Sequence, residues 1–178
     1  MNIVLYDILV SNKCYTHGIG RVSDKETLRK FSSILELGGL YSKAKLRKMG
    51  IIVDGKVSGN IRITNDAFIS LFDPSTPGIE KSLLSPKYRL RFPFDTDVIF
   101  FMVDSSVESL MNAKRNQFDY TEVNVKDFIP MEYFSGIIIP NDPTLLSNIE
   151  EILTEHNLEL PIFDFEGNFI NTDKMNRD

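Results

Sequence analysis

Runs of hydrophobic residues mark most of the regular elements of this chain. The runs at 97–103 and 133–140 are continuous and apolar, which is typical of strands buried on both faces. Shorter apolar or alternating runs at 67–72, 120–125 and 161–165 also predict strands. The first ten residues, MNIVLYDILV, are almost entirely apolar, and we interpret them as a further strand.

Apolar residues spaced three and four positions apart predict helices. A helix is predicted over 23–37, because Ser23 and Glu26 have the form of a capping box and Gly38 with Gly39 can end it. The apolar positions on its face are Leu28, Phe31, Ile34 and Leu35. A second helix is predicted from Asp142-Pro143 to about His156, and shorter ones over 42–49 and 105–114.

Turn-forming residues separate these elements. Asp54-Gly55 lies between two β-branched runs and predicts a hairpin over 51–59. The stretch 75–95 contains three prolines and predicts a loop. Strands and helices follow one another without regular βαβ alternation, which indicates the α+β class, with a single domain over 1–170 and a polar tail over 171–178.

Composition and charge narrow the classes of function. The chain has 178 residues, the usual length of one domain, and a net charge of −5, which gives no global support for binding phosphate backbones. The stretch 29–48 is locally basic. No apolar run approaches the roughly 18 residues that a membrane span requires. A single cysteine excludes an internal disulfide, so we expect a cytoplasmic protein, or one delivered into the cytosol of a target cell.

The two histidines differ in context. His156 lies near the end of a predicted helix, where its charge is favourable beside the helix dipole, so we do not expect it in a site. His17 is predicted at the end of a strand, and Gly18 beside it lets a ligand approach the backbone. A purely structural histidine at a strand end fits the pattern of His17 equally well.

Cys14 and His17 raise two further hypotheses. A structural zinc site requires four Cys or His ligands, which this chain does not supply, so we expect no metal. A cysteine hydrolase remains an alternative, with Cys14 as nucleophile, His17 or His156 as base and an Asp to orient the base. Against it, two residues three positions apart on one strand project to opposite faces, and a lone cysteine on an apolar strand is usually core filler.

Glu122 is the carboxylate of greatest interest. Alternation along 120–125 places it on the polar face of a strand with Tyr120 and Asn124, while Val123 and Val125 face the core. This pattern fits a surface carboxylate, and it also fits a group that lines a cleft.

Several segments, taken in order, resemble the ADP-ribosyltransferase superfamily. They are YTHG at 15–18, SILELGGLYS at 33–42, AFISLFDP at 67–74, TEV at 121–123, IP at 129–130 and GIIIP at 136–140. Within the superfamily these segments are most similar to the DarT-like toxins. The resemblance covers about residues 12–140.

The resemblance implies a split two-sheet α+β fold with a cleft for NAD, which is a substrate and requires no metal. It implies that His17 and Gly18 hold the nicotinamide ribose and amide, and that Glu122 is the catalytic carboxylate. Ser70, Phe72 and Tyr41 would line the nicotinamide pocket. The implied activity is transfer of ADP-ribose to a macromolecule, either a protein or a nucleic acid, by a toxin or effector with an antitoxin or immunity partner.

The chain also departs from the DarT-like pattern. Pro74 is followed by Ser75 where DarT-like proteins carry an arginine, which weakens the assignment of DNA as acceptor. Ile69 lies near the position of the aromatic residue that stacks on nicotinamide, so Phe72, Tyr41 or Tyr88 would have to substitute for it. These departures keep a second hypothesis open, a noncatalytic protein of the same fold that acts through protein contacts.

Overall fold

The computed structural model describes residues 3–51, 66–76, 97–111, 113–115 and 121–171. The predicted hairpin over 51–59, apart from its first residue, lies outside these ranges. So do most of the predicted loop over 75–95, including Tyr88, and all but the first residue of the polar tail.

Nine strands form two sheets within the described residues. The large sheet has seven strands in the order β5-β6-β3-β1-β4-β8-β9, and β2 and β7 form the small sheet. All pairings are antiparallel except β8 with β9. The strands are β1 (Cys14–Arg21), β2 (Gly39–Tyr41), β3 (Phe68–Phe72), β4 (Val98–Asp104), β5 (Lys114–Arg115), β6 (Glu122–Lys126), β7 (Phe128–Pro130), β8 (Phe134–Ile138) and β9 (Ile162–Phe163).

Five α-helices accompany the sheets in the described part of the chain. They are α1 (Ile3–Ser11), α2 (Thr27–Glu36), α3 (Lys43–Lys48), α4 (Val107–Leu110) and α5 (Pro143–Glu155). The predicted start of α5 is confirmed, since the Asp142 carboxylate accepts hydrogen bonds from the backbone amides of Thr144 and Leu145 at 2.8 and 3.1 Å. His156 caps its C-terminal end, as expected.

The N-terminal residues form helix α1, so their interpretation as a strand is wrong. Leu5 and Leu9, four positions apart, are fully buried, whereas Val4, which directly precedes Leu5, is 49% exposed. The nearly uniform apolar character of this segment concealed the helical period. The first strand is therefore β1, and His17 lies in its middle rather than at its end.

Helix α2 begins at Thr27, four residues later than predicted, because the capping box does not form. The hydroxyl of Ser23 donates instead to the Asp97 carboxylate at 2.9 Å. The carboxylate of Asp24 accepts the backbone amide of Glu26 at 3.0 Å, which forms a local turn before the helix. The predicted end of the helix is confirmed, with Gly38 at a φ of +78°.

Two hydrophobic clusters lie on opposite sides of the large sheet. The main core packs Phe31 and Leu35 of α2, together with side chains of α5, against one face of the sheet. A smaller cluster lies between α1 and the other face, and its buried members are Leu5, Leu9, Cys14, Phe100, Met102, Ile138 and Phe165. No helix within the described ranges is long and apolar enough to span a membrane.

We expect Gly39→Ala to destabilise the fold more than Gly38→Ala. A Cβ atom at Gly39 would lie 2.2 Å from the carbonyl oxygen of Ile129, and the φ of Gly39 is +152°. At Gly38 the space is open, so alanine meets only the strain of a left-handed backbone. The expected losses in free energy of unfolding are about 1 kcal/mol for Gly38→Ala and about 3 kcal/mol for Gly39→Ala, measured by urea titration. Equal losses would contradict the close approach of β2 and β7.

Candidate functional site

Strands β3 and β6 present a row of polar side chains on one face. Ser70 pairs with Asn124 and Phe72 pairs with Glu122, and paired residues of antiparallel strands share a face. The alternate residues Ile69, Leu71, Val123 and Val125 are buried in the main core. The predicted placement of Glu122 on the polar face of its strand is therefore confirmed.

Ser70 connects the two residues predicted to carry the chemistry. Its hydroxyl donates a hydrogen bond to Oε1 of Glu122. Its backbone carbonyl accepts a hydrogen bond from Nδ1 of His17 at 2.9 Å. His17 and Glu122 are 105 positions apart in the sequence, and the structure brings both to the same serine.

The His17 contact lies where β1 separates from β3. The two strands share one backbone pair, Thr16 with Phe72. Beyond that pair the imidazole of His17, rather than a backbone amide of β1, reaches the carbonyl of Ser70 on β3. Strands β1 and β3 are therefore joined at this point by a side-chain hydrogen bond.

The hydrogen bond to Ser70 fixes the tautomer of His17. A carbonyl oxygen only accepts, so Nδ1 carries the proton. Burial lowers the pKa of the imidazole, an effect that outweighs the opposite influence of the Ser70 hydrogen bond. The neutral ring therefore predominates at pH 7, and its Nε2 presents a lone pair that can accept a hydrogen bond from a ligand hydroxyl.

Thr16, which precedes His17, projects to the opposite face of β1. Among the buried side-chain oxygens and nitrogens of the described residues, its Oγ1 is the atom without a hydrogen-bond partner. Leaving such an atom unsatisfied costs about 1–3 kcal/mol. Polar atoms of this kind are often found where a ligand or a water molecule completes the hydrogen bonding.

Gly18 and Tyr41 have local packing roles in the structure. A Cβ atom at Gly18 would lie 3.1 Å from the ring of Phe100, so close packing already favours glycine there. Tyr41 belongs to the small sheet, where its ring stacks on that of Phe128 with centroids 4.2 Å apart. The structure thus joins His17, Ser70 and Glu122 directly, with Phe72 paired to Glu122, while Tyr41 lies on β2.

The surroundings of Cys14 do not fit a nucleophile. Its side chain is 3% exposed in the cluster beneath α1, and its Sγ lies 3.1 Å from the hydroxyl of Ser135. Burial is the main cause that raises the pKa of the thiol, which disfavours the reactive thiolate. The imidazole of His17 is committed to Ser70. The cysteine hydrolase alternative therefore has no support in this geometry.

Sequence reasoning missed a cluster of charged and phenolic side chains beside the site. We call Tyr15, Asp73, Glu108 and Arg115 the Arg115 cluster. The guanidinium contacts Asp73 at 2.7 Å, both oxygens of Glu108 at 2.9 Å and the hydroxyl of Tyr15 at 3.2 Å. No local pattern indicates these contacts, because Arg115 and Tyr15 are 100 positions apart. Within the described ranges, no group of three or more His, Cys, Asp or Glu side chains is arranged to hold a metal ion.

The architecture, a large sheet with a small second sheet in an α+β chain, is similar in fold to solved structures of DarT. DarT of Thermus sp. 2.9, solved with NAD+, matches 87% of this chain with a TM-score of 0.52, at 6% sequence identity and over 96% of its own length. The same protein solved with ADP-ribosylated single-stranded DNA matches 88% of this chain with a TM-score of 0.50, at 7% identity and over 95% of its length.

These structural matches confirm the fold and the DarT-like resemblance expected from the sequence. No protein-family model matches the chain, and a search of curated proteins finds no significant relative. The likeness is therefore one of fold, retained at very low sequence identity.

We expect His17 to titrate below pH 6.5 and to carry its proton on Nδ1 when neutral. The chain has two histidines, so His156→Asn leaves His17 as the single imidazole for NMR titration. Because the folded-state pKa is lowered, the stability associated with neutral His17 is complete above about pH 6.5, the unfolded value, and is lost as the pH falls through the folded value. A midpoint above pH 6.5 would contradict the lowered pKa of His17, and an Nε2-protonated tautomer would contradict its hydrogen bond to Ser70.

Proposed function

We propose that this chain is an NAD-dependent ADP-ribosyltransferase that modifies a macromolecule, with Glu122 as its catalytic carboxylate. The observation that carries the proposal is the convergence of His17 and Glu122 on Ser70. DarT of Thermus sp. 2.9, which has the same fold, binds NAD+ in its solved complex.

Glu122 would stabilise the transition state of the transfer. Breaking the bond between nicotinamide and ribose gives the ribose an oxocarbenium-like positive charge, while nicotinamide leaves with the bonding electron pair. A fixed carboxylate close to this charge stabilises it only as it develops, which is how an enzyme lowers the barrier. The hydroxyl of Ser70 holds one oxygen of Glu122 and so limits its rotation.

His17 would orient the substrate. The neutral imidazole donates a hydrogen bond from Nδ1–H to the Ser70 carbonyl. Its Nε2 would accept a hydrogen bond from a ribose hydroxyl. Such contacts contribute orientation rather than reactivity. Gly18, Phe72 and Tyr41 remain proposed parts of the NAD site. The acceptor nucleophile then forms a bond to the anomeric carbon and loses a proton.

Single-stranded nucleic acid is the acceptor that the comparison favours. DarT of Thermus sp. 2.9 has been solved with ADP-ribosylated single-stranded DNA. With a net charge of −5, this chain would have to recognise such a strand through local contacts rather than through its overall field. Modification of a nucleic acid would make the protein a toxin or effector, and a cell that produces it would require a neutralising partner.

We expect Glu122→Gln to reduce nicotinamide release from NAD about 100-fold to 1,000-fold, because the neutral amide no longer stabilises the cation. The matched control is Glu132→Gln, which makes the same change at an exposed carboxylate near the start of β8. Both variants should unfold at the same urea concentration as the wild-type protein. Wild-type activity in Glu122→Gln would disprove the catalytic role. A wild-type protein that neither binds nor cleaves NAD would favour a noncatalytic protein of this fold.

The acceptor is tested with labelled NAD and three targets: a single-stranded DNA, the duplex of the same sequence, and a protein extract. We expect label on the single strand at least about tenfold above the duplex, because a base must leave the stack before an enzyme can modify it. The Glu122→Gln variant is the blank for each target. Label that appears on protein alone would contradict the nucleic-acid acceptor and leave the proposed chemistry intact.

A further inference from the structure

We propose that Arg115 is a positioning residue, whose guanidinium fixes the strand of Glu122 relative to the strands of His17 and Ser70. The inference rests on the proposed function for its catalytic meaning. The structural part of the inference, that Arg115 restrains β6 through β5, depends only on the observed contacts of Arg115.

Arg115 is attached to β6 by its backbone and to three other elements by its side chain. On β5 it pairs with Val123, the residue that follows Glu122. Its guanidinium reaches Asp73 at the end of β3, Glu108 in α4 and Tyr15 in β1. Arg115 thus links the strands that carry His17, Ser70 and Glu122.

Each partner lies close in sequence to a site residue. Tyr15 is two positions before His17 on β1. Asp73 directly follows Phe72, which pairs with Glu122. The backbone amide of Asp73 also donates to the carbonyl of Thr121 at 2.7 Å, which closes the β3–β6 ladder at the end occupied by Glu122. Movement of the Arg115 cluster would therefore shift His17, Phe72 and Glu122 relative to one another.

The cluster is built to resist such movement. The carboxylate of Asp73 is 2% exposed, and its Oδ1 accepts the amide and hydroxyl of Ser75 at 2.8 and 2.6 Å. Its Oδ2 takes the guanidinium, so both oxygens are engaged. Glu108 and Arg115 form a bidentate pair of hydrogen bonds, which a lysine at position 115 could not form.

Tyr15 completes the cluster as a hydrogen-bond donor. Burial, followed by its hydrogen bond to Glu108, raises the pKa of the phenol. The hydroxyl therefore keeps its proton and donates to Glu108 while it accepts from Arg115.

The position of Arg115 on the sheet places its side chain on the face opposite to that of Glu122. Arg115 pairs with Val123, which is buried in the main core, and paired residues share a face. Glu122, the neighbour of Val123 in the strand, projects to the opposite face. Arg115 therefore acts on Glu122 through the backbone, which makes it a positioning residue.

The test combines kinetics with a cycle of double variants. We expect Arg115→Gln to lower kcat for nicotinamide release about 10-fold to 100-fold and to change KM for NAD less than about threefold, because a small displacement of a catalytic group lowers the rate by such factors. Arg115→Lys should have an intermediate kcat, because lysine keeps the positive charge but cannot form the bidentate contact with Glu108. The control is Arg29→Gln, at an arginine of α2 that is 79% exposed.

Coupling to Glu122 distinguishes positioning from general loss of structure. If Arg115 acts through Glu122, the double variant Arg115→Gln, Glu122→Gln should be no slower than Glu122→Gln alone. Multiplied losses in the double variant, or a kcat for Arg115→Gln within about threefold of wild type, would overturn the proposal. If Arg115→Gln does not fold, Arg115→Lys and Tyr15→Phe provide the same comparison with milder changes.

Hydrogen exchange tests the bracing even if the protein proves inactive. In Arg115→Lys we expect the amides of β6 to exchange at least about tenfold faster, with those of α5 unchanged. Unchanged exchange in β6 would overturn the proposal, whatever the activity. Faster exchange in a protein without NAD activity would retain the bracing and reject only the proposed function.

Discussion

The separation of β1 from β3 is the constraint on which the proposed site depends. After the pair of Thr16 with Phe72, the two strands are joined by the imidazole of His17. A continuous sheet would satisfy the Ser70 carbonyl with a backbone amide and would leave no reason for a histidine there. Because a side chain makes this contact, its second ring nitrogen is directed away from the sheet bond, where a ligand can use it. The hydroxyl of Ser70 donates a hydrogen bond to Glu122, so the position of the carboxylate also depends on Ser70.

The elements that the sequence predicted correctly are those with a strong local signal. The buried strands β4 and β8 are long apolar runs, and α5 begins at an Asp-Pro cap followed by apolar residues at four-residue spacing. The errors have equally local causes. Helix α1 is apolar at most positions and so shows no clear period, while Ser23 finds a partner in Asp97, 74 positions away. The short strands of the small sheet, β2 and β7, have three residues each, too few to show alternation.

The sequence predicted only those residues of the candidate site that belong to recognisable motifs. Alternation along β6 placed Glu122 on the correct face, and the resemblance indicated His17 and Ser70 but not the hydrogen bond between them. The sequence did not predict the Arg115 cluster. The hydrogen bonds of the cluster depend on how β1, β3, β5 and α4 are arranged, and no residue spacing in the chain indicates that arrangement. Motifs thus indicate residues that would touch a substrate, whereas the residues that hold them in place follow from tertiary structure.

Helix α1 has a consequence for the order in which the chain can fold. Its buried leucines pack in a cluster that includes Phe165, and a Cβ atom at Gly167 would lie 2.9 Å from the backbone nitrogen of Leu5. Helix α1 therefore meets its final partners only when residues near 165 have been synthesised. Until then its apolar face lacks part of its cover, and contacts of such long sequence separation form slowly. Completion of this side of the large sheet thus requires two segments that lie about 160 positions apart in the chain.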